Sequence, residues 1–265
     1  MKTLPKGLVN SGALVIAKKL KTISGGKVLD VATESGDFIN TLMNALKDYN
    51  SFLGIDIALE DLESARQKIT DEKVEFIEMN GENLRFENES FDTVSIAHSF
   101  HHLKNVKKVL NEIKRVLKTG GHLIIQEPHC DGEQTEAQKA DILQHHWGAL
   151  IDNIQGIPHN KTLTKQEIKD IFNNIGFGEE EIFESTHFVK CLFCDDKFEC
   201  EDPKNEDIVK FSIKEVKSDL KRLETIENHP DVSKLRKEGE RIIELIQEFG
   251  ASSASHLFYI GKKSS

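Results

Sequence analysis

Between residues 27 and 128 short apolar runs alternate with longer amphipathic ones, the pattern of repeated βαβ units around a parallel sheet. The apolar runs are "KVLDVA", "SFLGIDI", "KVEFIEM", "FDTVSIAH" and "GHLIIQEP". Each is rich in β-branched or aromatic residues and short enough for a strand buried on both faces. Between them lie "FINTLMNALKDY", "LEDLESARQKIT" and "VKKVLNEIKRVLKTGG". The last places Val106, Val109, Leu110, Ile113, Val116 and Leu117 on one helical face, with Gly120 and Gly121 as a stop signal.

Beyond Pro128 the period lengthens. Residues 133–154 predict a helix with Leu143, Trp147, Leu150 and Ile154 on one side, and "TKQEIKDIFNNIG" a second, closed by Gly176. A strand-like stretch, "EEEIFESTHFVKCLF", precedes an acidic linker around Pro203. Val209, Ile213, Val216, Leu220 and Leu223 then step by four and three, and Ile242, Ile246 and Phe249 resume the stripe after "NHPD". This predicts a helical hairpin over 201–250, inserted before a closing strand in "ASHLFYIGKK". The expectation is an α/β fold, a Rossmann-like seven-stranded sheet with helices on both faces, in one domain spanning 1–265.

Composition narrows the function. With 45 acidic and 35 basic residues the formal net charge is −10, which disfavours nucleic acid or an anionic membrane as partner. Four cysteines, no apolar signal segment at the N-terminus and no bilayer-length apolar run imply a cytoplasmic setting.

The candidate chemistry lies at strand ends, where ligands of doubly wound sheets bind. Asp30, Ala32, Glu34, Ser35 and Gly36 follow the first strand, and Asp56 ends the second, where a carboxylate can accept from both hydroxyls of a ribose. Asn80 follows the third, in "MNGEN". Gly36 is the only glycine of the first turn, so the glycine-rich nest for a dinucleotide pyrophosphate is missing. A phosphate-free cationic cofactor, S-adenosylmethionine, suits an acidic turn better.

Taken in order, "VLDVATESGDF", "GIDI", "NGENLRFENESFDTV", "HHL" and "VLNEIKRVLKTGGHLIIQEP" resemble the class I S-adenosylmethionine-dependent methyltransferases, in particular the quinone-biosynthesis C-methyltransferases. The resemblance implies a seven-stranded sheet whose last strand is antiparallel. It puts Asp30, Ala32, Glu34 and Gly36 under the methionine end of the cofactor, and Asp56 and Ile57 at ribose and adenine. Asn80, Gly81 and Glu82 would flank the base, and Ala97 and His98 would close the site. Two departures stand out: Asn80 replaces the usual aspartate, a mild change because its oxygen still accepts, and Glu34 replaces a turn glycine. Glu34 either points outward into solvent, the reading preferred here, or partners the cofactor's positive charge.

The activity expected is methyl transfer to an unidentified small-molecule acceptor, with a non-catalytic protein binding the cofactor or its demethylated product as the alternative. Residues 131–165 are expected to form a lid over the acceptor, and His146, Trp147 and His159 are the substrate-contact candidates. His98, His101, His102, His129, His145, His146 and His159 cluster near two strand ends. On the helix from 133 to 154, His146 lies near the apolar face of Leu143 and Leu150 while His145 points nearly opposite that face, so the two cannot both face one metal and no metal site is expected. The second histidine of "HHL" is expected to seat the helix that follows. Cys191, Cys194 and Cys200 lack a fourth ligand and are expected to be buried thiols. The stripe on 204–250 is expected to pack within the hairpin or to form a homodimer face.

Overall fold

The computed structural model describes residues 13–177, 179–185 and 202–264. These fall into two compact units, one holding 13–127, 168–185 and 257–264, the other 128–167 and 202–256.

The first unit is a seven-stranded sheet of β1 (Lys27–Val31), β2 (Ser51–Asp56), β3 (Val74–Glu78), β4 (Phe91–Ala97), β5 (Leu117–Pro128), β6 (Glu179–Ser185) and β7 (His256–Lys262). Their order is β3-β2-β1-β4-β5-β7-β6. β1 pairs in parallel with β2 and β4, β2 with β3, and β4 with β5. β7 runs antiparallel to β5: Gly120 donates to Lys263 O at one end, and His129 donates to Ser255 O at the other. The seven-stranded mixed sheet expected from the sequence is the sheet observed. Its helices are α1 (Ala13–Leu20), which the sequence reading did not anticipate, α2 (Asp37–Ala45), α3 (Leu59–Lys68), α4 (Val106–Val116) and α6 (Lys165–Asn173), whose first turn belongs to the other unit.

Two local expectations change. Gly120 and Gly121 do not stop α4; its cap is Leu117, in extended conformation, and both glycines lie inside β5, Gly120 at φ 79°. A bulge between Phe91 and Thr93 shifts the register there, which gives a left-handed glycine its place within a strand. Nor is every strand buried on both faces. On the edge strand β3 only Phe76 is fully buried, since an edge strand is covered on fewer sides.

Strand order reverses between β1 and β4, so the crossovers after these strands leave in opposite directions and open a crevice at their carboxyl ends. Register places Asp30 beside Gly54 on β2 and Ser95 on β4.

The second unit is helical: α5 (Glu136–Ile154), α7 (Glu206–Arg222), a 3₁₀ turn (Leu223–Ile226) and α8 (Val232–Phe249). A capping box between Thr135 and Gln138 starts α5, and the Asn205 side chain accepts from the first turn of α7. Its core joins Ala140, Trp147 and Ile151 of α5 to Ile208, Val216, Leu223, Leu235, Ile242 and Ile246. Val209, Ile213 and Leu220 pack against that core, so the hairpin stripe is covered largely from within its own chain. Leu150, expected on the buried side of α5, is exposed, and Ile151 is buried instead. Their neighbours approach along the Ala140, Trp147, Ile151 line, and Leu150 falls outside that arc. Gly239 admits Trp147 closely: a Cβ there would stand 2.6 Å from Trp147 Cζ2.

Candidate functional site

The strand ends of the sheet unit are built from backbone in unusual conformations. Ala32 (φ 54°) and Glu34 (φ 48°) after β1, and His98 (φ 51°) after β4, are left-handed without being glycine. Each costs about 1–2 kcal/mol, strain that characteristically collects at functional positions. Gly36 (φ 81°) completes the turn and caps α2, packed so that a Cβ would meet Ile69 at 3.0 Å.

Carboxylates hold this turn together. Asp56 Oδ2 accepts from the Glu34 amide at 3.0 Å and Asp56 Oδ1 accepts from the Ala58 amide at 3.0 Å, so one side chain ties the β1 turn to the start of α3. Asp30 is buried and accepts from Ser95 Oγ (2.5 Å) and Thr33 Oγ1 (2.7 Å). Burial still lifts its pKa to about 6, with the nearby charge of Asp56 adding to the rise. Glu34 is exposed as a residue, as expected, but its carboxyl is not simply solvated. Crowding by protein, and then the carboxylates of Asp61, Asp37 and Asp56, push its pKa up against the opposing Lys68. Lys68 itself is drawn to Asp37 Oδ1 at 2.8 Å. The turn is therefore a concentration of negative charge that a cation would relieve.

Beside Asp56 the surface is apolar, with Ile57 70% and Leu59 54% exposed. The turn after β3 is narrow, since a Cβ on Gly81 would stand 2.9 Å from Val31 Cγ1. Asn80 is exposed and its Oδ1 accepts from the Glu82 amide at 2.8 Å, while Glu82 pairs with Lys108 at 3.4 Å. The Asn80 oxygen, read from the sequence as an acceptor for a base, already closes this turn, and an aspartate could accept the same amide.

Ala97 and His98 are half-buried at the end of β4. Burial pushes the His98 imidazole pKa down, favouring the neutral ring. The "HHL" segment differs from expectation: the first histidine, His101, is buried, and the second, His102, is exposed. His101 Nδ1 lies 2.7 Å from Glu127 Oε1, while Glu127 Oε2 accepts from the Ser99 and Phe100 amides at 3.0 and 3.2 Å. Burial raises Glu127 to about 7 despite these donors and the neighbouring His98. Glu127 was not singled out from the sequence. An acid in the last apolar positions of a buried strand, with three donors owed by "SFH" after the neighbouring strand, was the available signal.

The remaining candidates lie in the helical unit. His146 Nε2 is 2.7 Å from Thr162 Oγ1. Trp147 is buried in the core and its Nε1 donates to Leu235 O at 2.9 Å. His159 Nδ1 lies 2.6 Å from Asp152 Oδ2, and its Nε2 3.2 Å from His145 Nε2. Cys191, Cys194 and Cys200 lie outside the described residues. No described helix is long and apolar enough to cross a membrane.

Comparison with known proteins finds methyltransferases. A family model described as "Methyltransferase domain" matches residues 29–125. A demethylmenaquinone methyltransferase of Bacteroides fragilis is 32% identical over 129 residues, 47% of this chain and 52% of the relative. A ubiquinone/menaquinone biosynthesis C-methyltransferase of Bartonella bacilliformis is 35% identical over 109 residues, 40% of this chain and 42% of the relative. The chain thus spans about half the length of the curated relatives it matches. Among solved structures, the YcgJ protein of Bacillus subtilis is similar with TM-score 0.53 and 17% identity, over 96% of this chain and 98% of that one. Phosphoethanolamine N-methyltransferase 2 of Haemonchus contortus, crystallised with S-adenosyl-L-methionine, gives TM-score 0.53 and 18% identity over 96% of this chain and 52% of that one. At these identities the structural likeness speaks for the fold.

Proposed function

We propose that this chain, whose residues 29–125 match a methyltransferase-domain family model, is a class I S-adenosylmethionine-dependent methyltransferase that transfers a methyl group from that cofactor to a small-molecule acceptor. The observation that carries the reading is Asp56: a carboxylate held by two backbone amides at the end of β2, between an acidic left-handed turn and the exposed Ile57. The residues present fit the cofactor. Its ammonium and sulfonium match the negative charge gathered by Asp30, Glu34 and Asp56, and its ribose and adenine match an anchored acceptor beside an apolar shelf.

In this reading Asp56 accepts from the ribose hydroxyls and Ile57 packs against the adenine. Asn80, Gly81 and Glu82 border the base, with Asn80 offering its NH₂ group while its oxygen keeps the turn. Asp30, Ala32, Glu34 and Gly36 shape the methionine end, and Ala97 and neutral His98 border the site at β4. Bound, the cofactor supplies an electrophilic methyl for in-line displacement, so the protein's task is alignment and exclusion of water. For the acceptor, His146 and His159 are the proposed contacts, whereas Trp147 is accounted for by packing and by its bond to Leu235. The names of the curated relatives make a reduced naphthoquinone the first acceptor to try.

Calorimetric titration of S-adenosylmethionine into the parent chain and Asp56→Ala tests the site. Binding to the parent with a clear loss in the variant supports it, and equal affinity overturns it. Appearance of S-adenosylhomocysteine with a reduced naphthoquinone then reports turnover.

A further inference from the structure

In the helical unit His145 of α5 and His159 of the loop beyond it face each other through their Nε2 atoms, 3.2 Å apart, with ring planes 73° from parallel. His159 presents its other nitrogen, Nδ1, to Asp152 Oδ2 at 2.6 Å. Asp152 is also gripped by Arg222 Nη2 of α7. The Arg222 guanidinium and the His159 ring both face this carboxylate, which serves the two of them as acceptor. An anionic carboxylate can only accept. The proton on His159 is thereby fixed at Nδ1, and in the neutral ring Nε2 carries a lone pair.

That lone pair points at His145 Nε2, and a single proton bridges the two nitrogens. The same geometry suits a cation. Zn²⁺ bonds imidazole nitrogen at about 2.0–2.1 Å, so two such nitrogens on a tetrahedral ion stand roughly 3.3 Å apart. A carboxylate on the far nitrogen of a ligating histidine is the usual device for fixing tautomer and ring orientation and raising basicity, and Asp152 occupies that position, itself anchored by Arg222. His146 is separate from the pair, its Nε2 on Thr162 Oγ1. The histidine doublet of α5 therefore need not converge: a loop residue fourteen positions after His145 supplies the second nitrogen.

We propose that His145 and His159 bind a borderline-soft divalent cation, Zn²⁺, through their Nε2 atoms, with Asp152 as the residue that positions His159. With both rings neutral, binding places the His145 proton on Nδ1 and frees its Nε2 lone pair for the cation, and further coordination positions remain for water or an anionic oxygen or sulfur ligand.

The test is equilibrium dialysis of Zn²⁺ alone against the full chain in which Cys130, Cys191, Cys194 and Cys200 are replaced by serine, removing thiols as competing ligands. One ion per chain is expected, weakened about tenfold or more by His145→Gln or His159→Gln and by about the same factor by Asp152→Asn. Absence of stoichiometric binding, or affinity unchanged in both histidine variants, overturns the proposal. Should a histidine variant misfold, Co²⁺ on the cysteine-free chain with both histidines in place decides: intense visible absorption of a four-coordinate ion supports the site, and the weak spectrum of the hydrated ion overturns it.

Discussion

The sheet unit and the helical unit use the same inventory of residues in opposite ways. At the strand ends the backbone does the positioning: left-handed Ala32, Glu34 and His98 turn amides toward Asp56 and Glu127, and the side chains serve mainly as acceptors. In the helical unit the backbone is regular and side chains do the positioning, through Trp147 on Leu235 O and the chain from Arg222 through Asp152 to His159 and His145. The first design presents fixed backbone dipoles, the arrangement suited to aligning a ligand. The second depends on packing quality and is exposed to single truncations.

The largest expected effect follows from that dependence. Ile242 is fully buried in the helical core, and Ile242→Ala should cost about 2–5 kcal/mol. Trp147 is the only tryptophan, so its emission in a urea titration reads this unit directly; an unchanged midpoint would contradict the packing described. Gly239→Ala should destabilise less, since overpacking against Trp147 of about 1–3 kcal/mol is offset by about 1 kcal/mol of helix propensity.

Asp56→Ala attacks the other design. Loss of a charged acceptor worth about 1.5–3 kcal/mol should weaken S-adenosylmethionine binding about 10- to 100-fold by calorimetry. Asp56→Asn separates two contributions, because it can still accept from one backbone amide while losing the charge offered to the ribose. If Asn matches Asp in affinity, the carboxylate acts only as a brace for the turn.

Glu127 sets a pH dependence. Its pKa rises from 4.5 to about 7 on folding, so between those values the folded chain binds more protons than the unfolded one. Stability contributed by this group is complete below about 4.5 and lost as pH rises through about 7, on the order of 1–3 kcal/mol. Glu127→Gln should flatten the stability profile across this window, as read by urea midpoints at several pH values. A profile as steep as the parent's would assign the titration elsewhere.

The smallest effect belongs to Glu34. Glu34→Gln removes one charge from the acidic turn and should weaken the cationic cofactor by about 0.3–1 kcal/mol, as for an exposed charge pair. Glu34→Gly also frees the left-handed φ of 48°. Tighter binding in both variants would mark the carboxylate as an obstruction.

Much of this was legible along the chain because it is periodic or punctuated. Five parallel strands, the α2, α3 and α4 helices and the hairpin stripe follow from alternation of apolar and polar positions, which local geometry converts directly into a buried face. The places of Asp30, Asp56 and Gly36 at the ends of β1 and β2 were likewise visible, since each lies in or directly after an apolar run that reads as a strand. Tertiary structure decided what depends on neighbours distant in sequence. It moved Gly120 and Gly121 from a helix stop into a bulged strand, exchanged Leu150 for Ile151, and brought Glu127 to His101 across 26 positions. It also set His145 against His159 rather than His146. The physical reason is the same in each case: a sequence fixes which way a side chain leaves its own backbone, whereas the partner it meets, and so its charge and burial, is fixed only when other elements arrive.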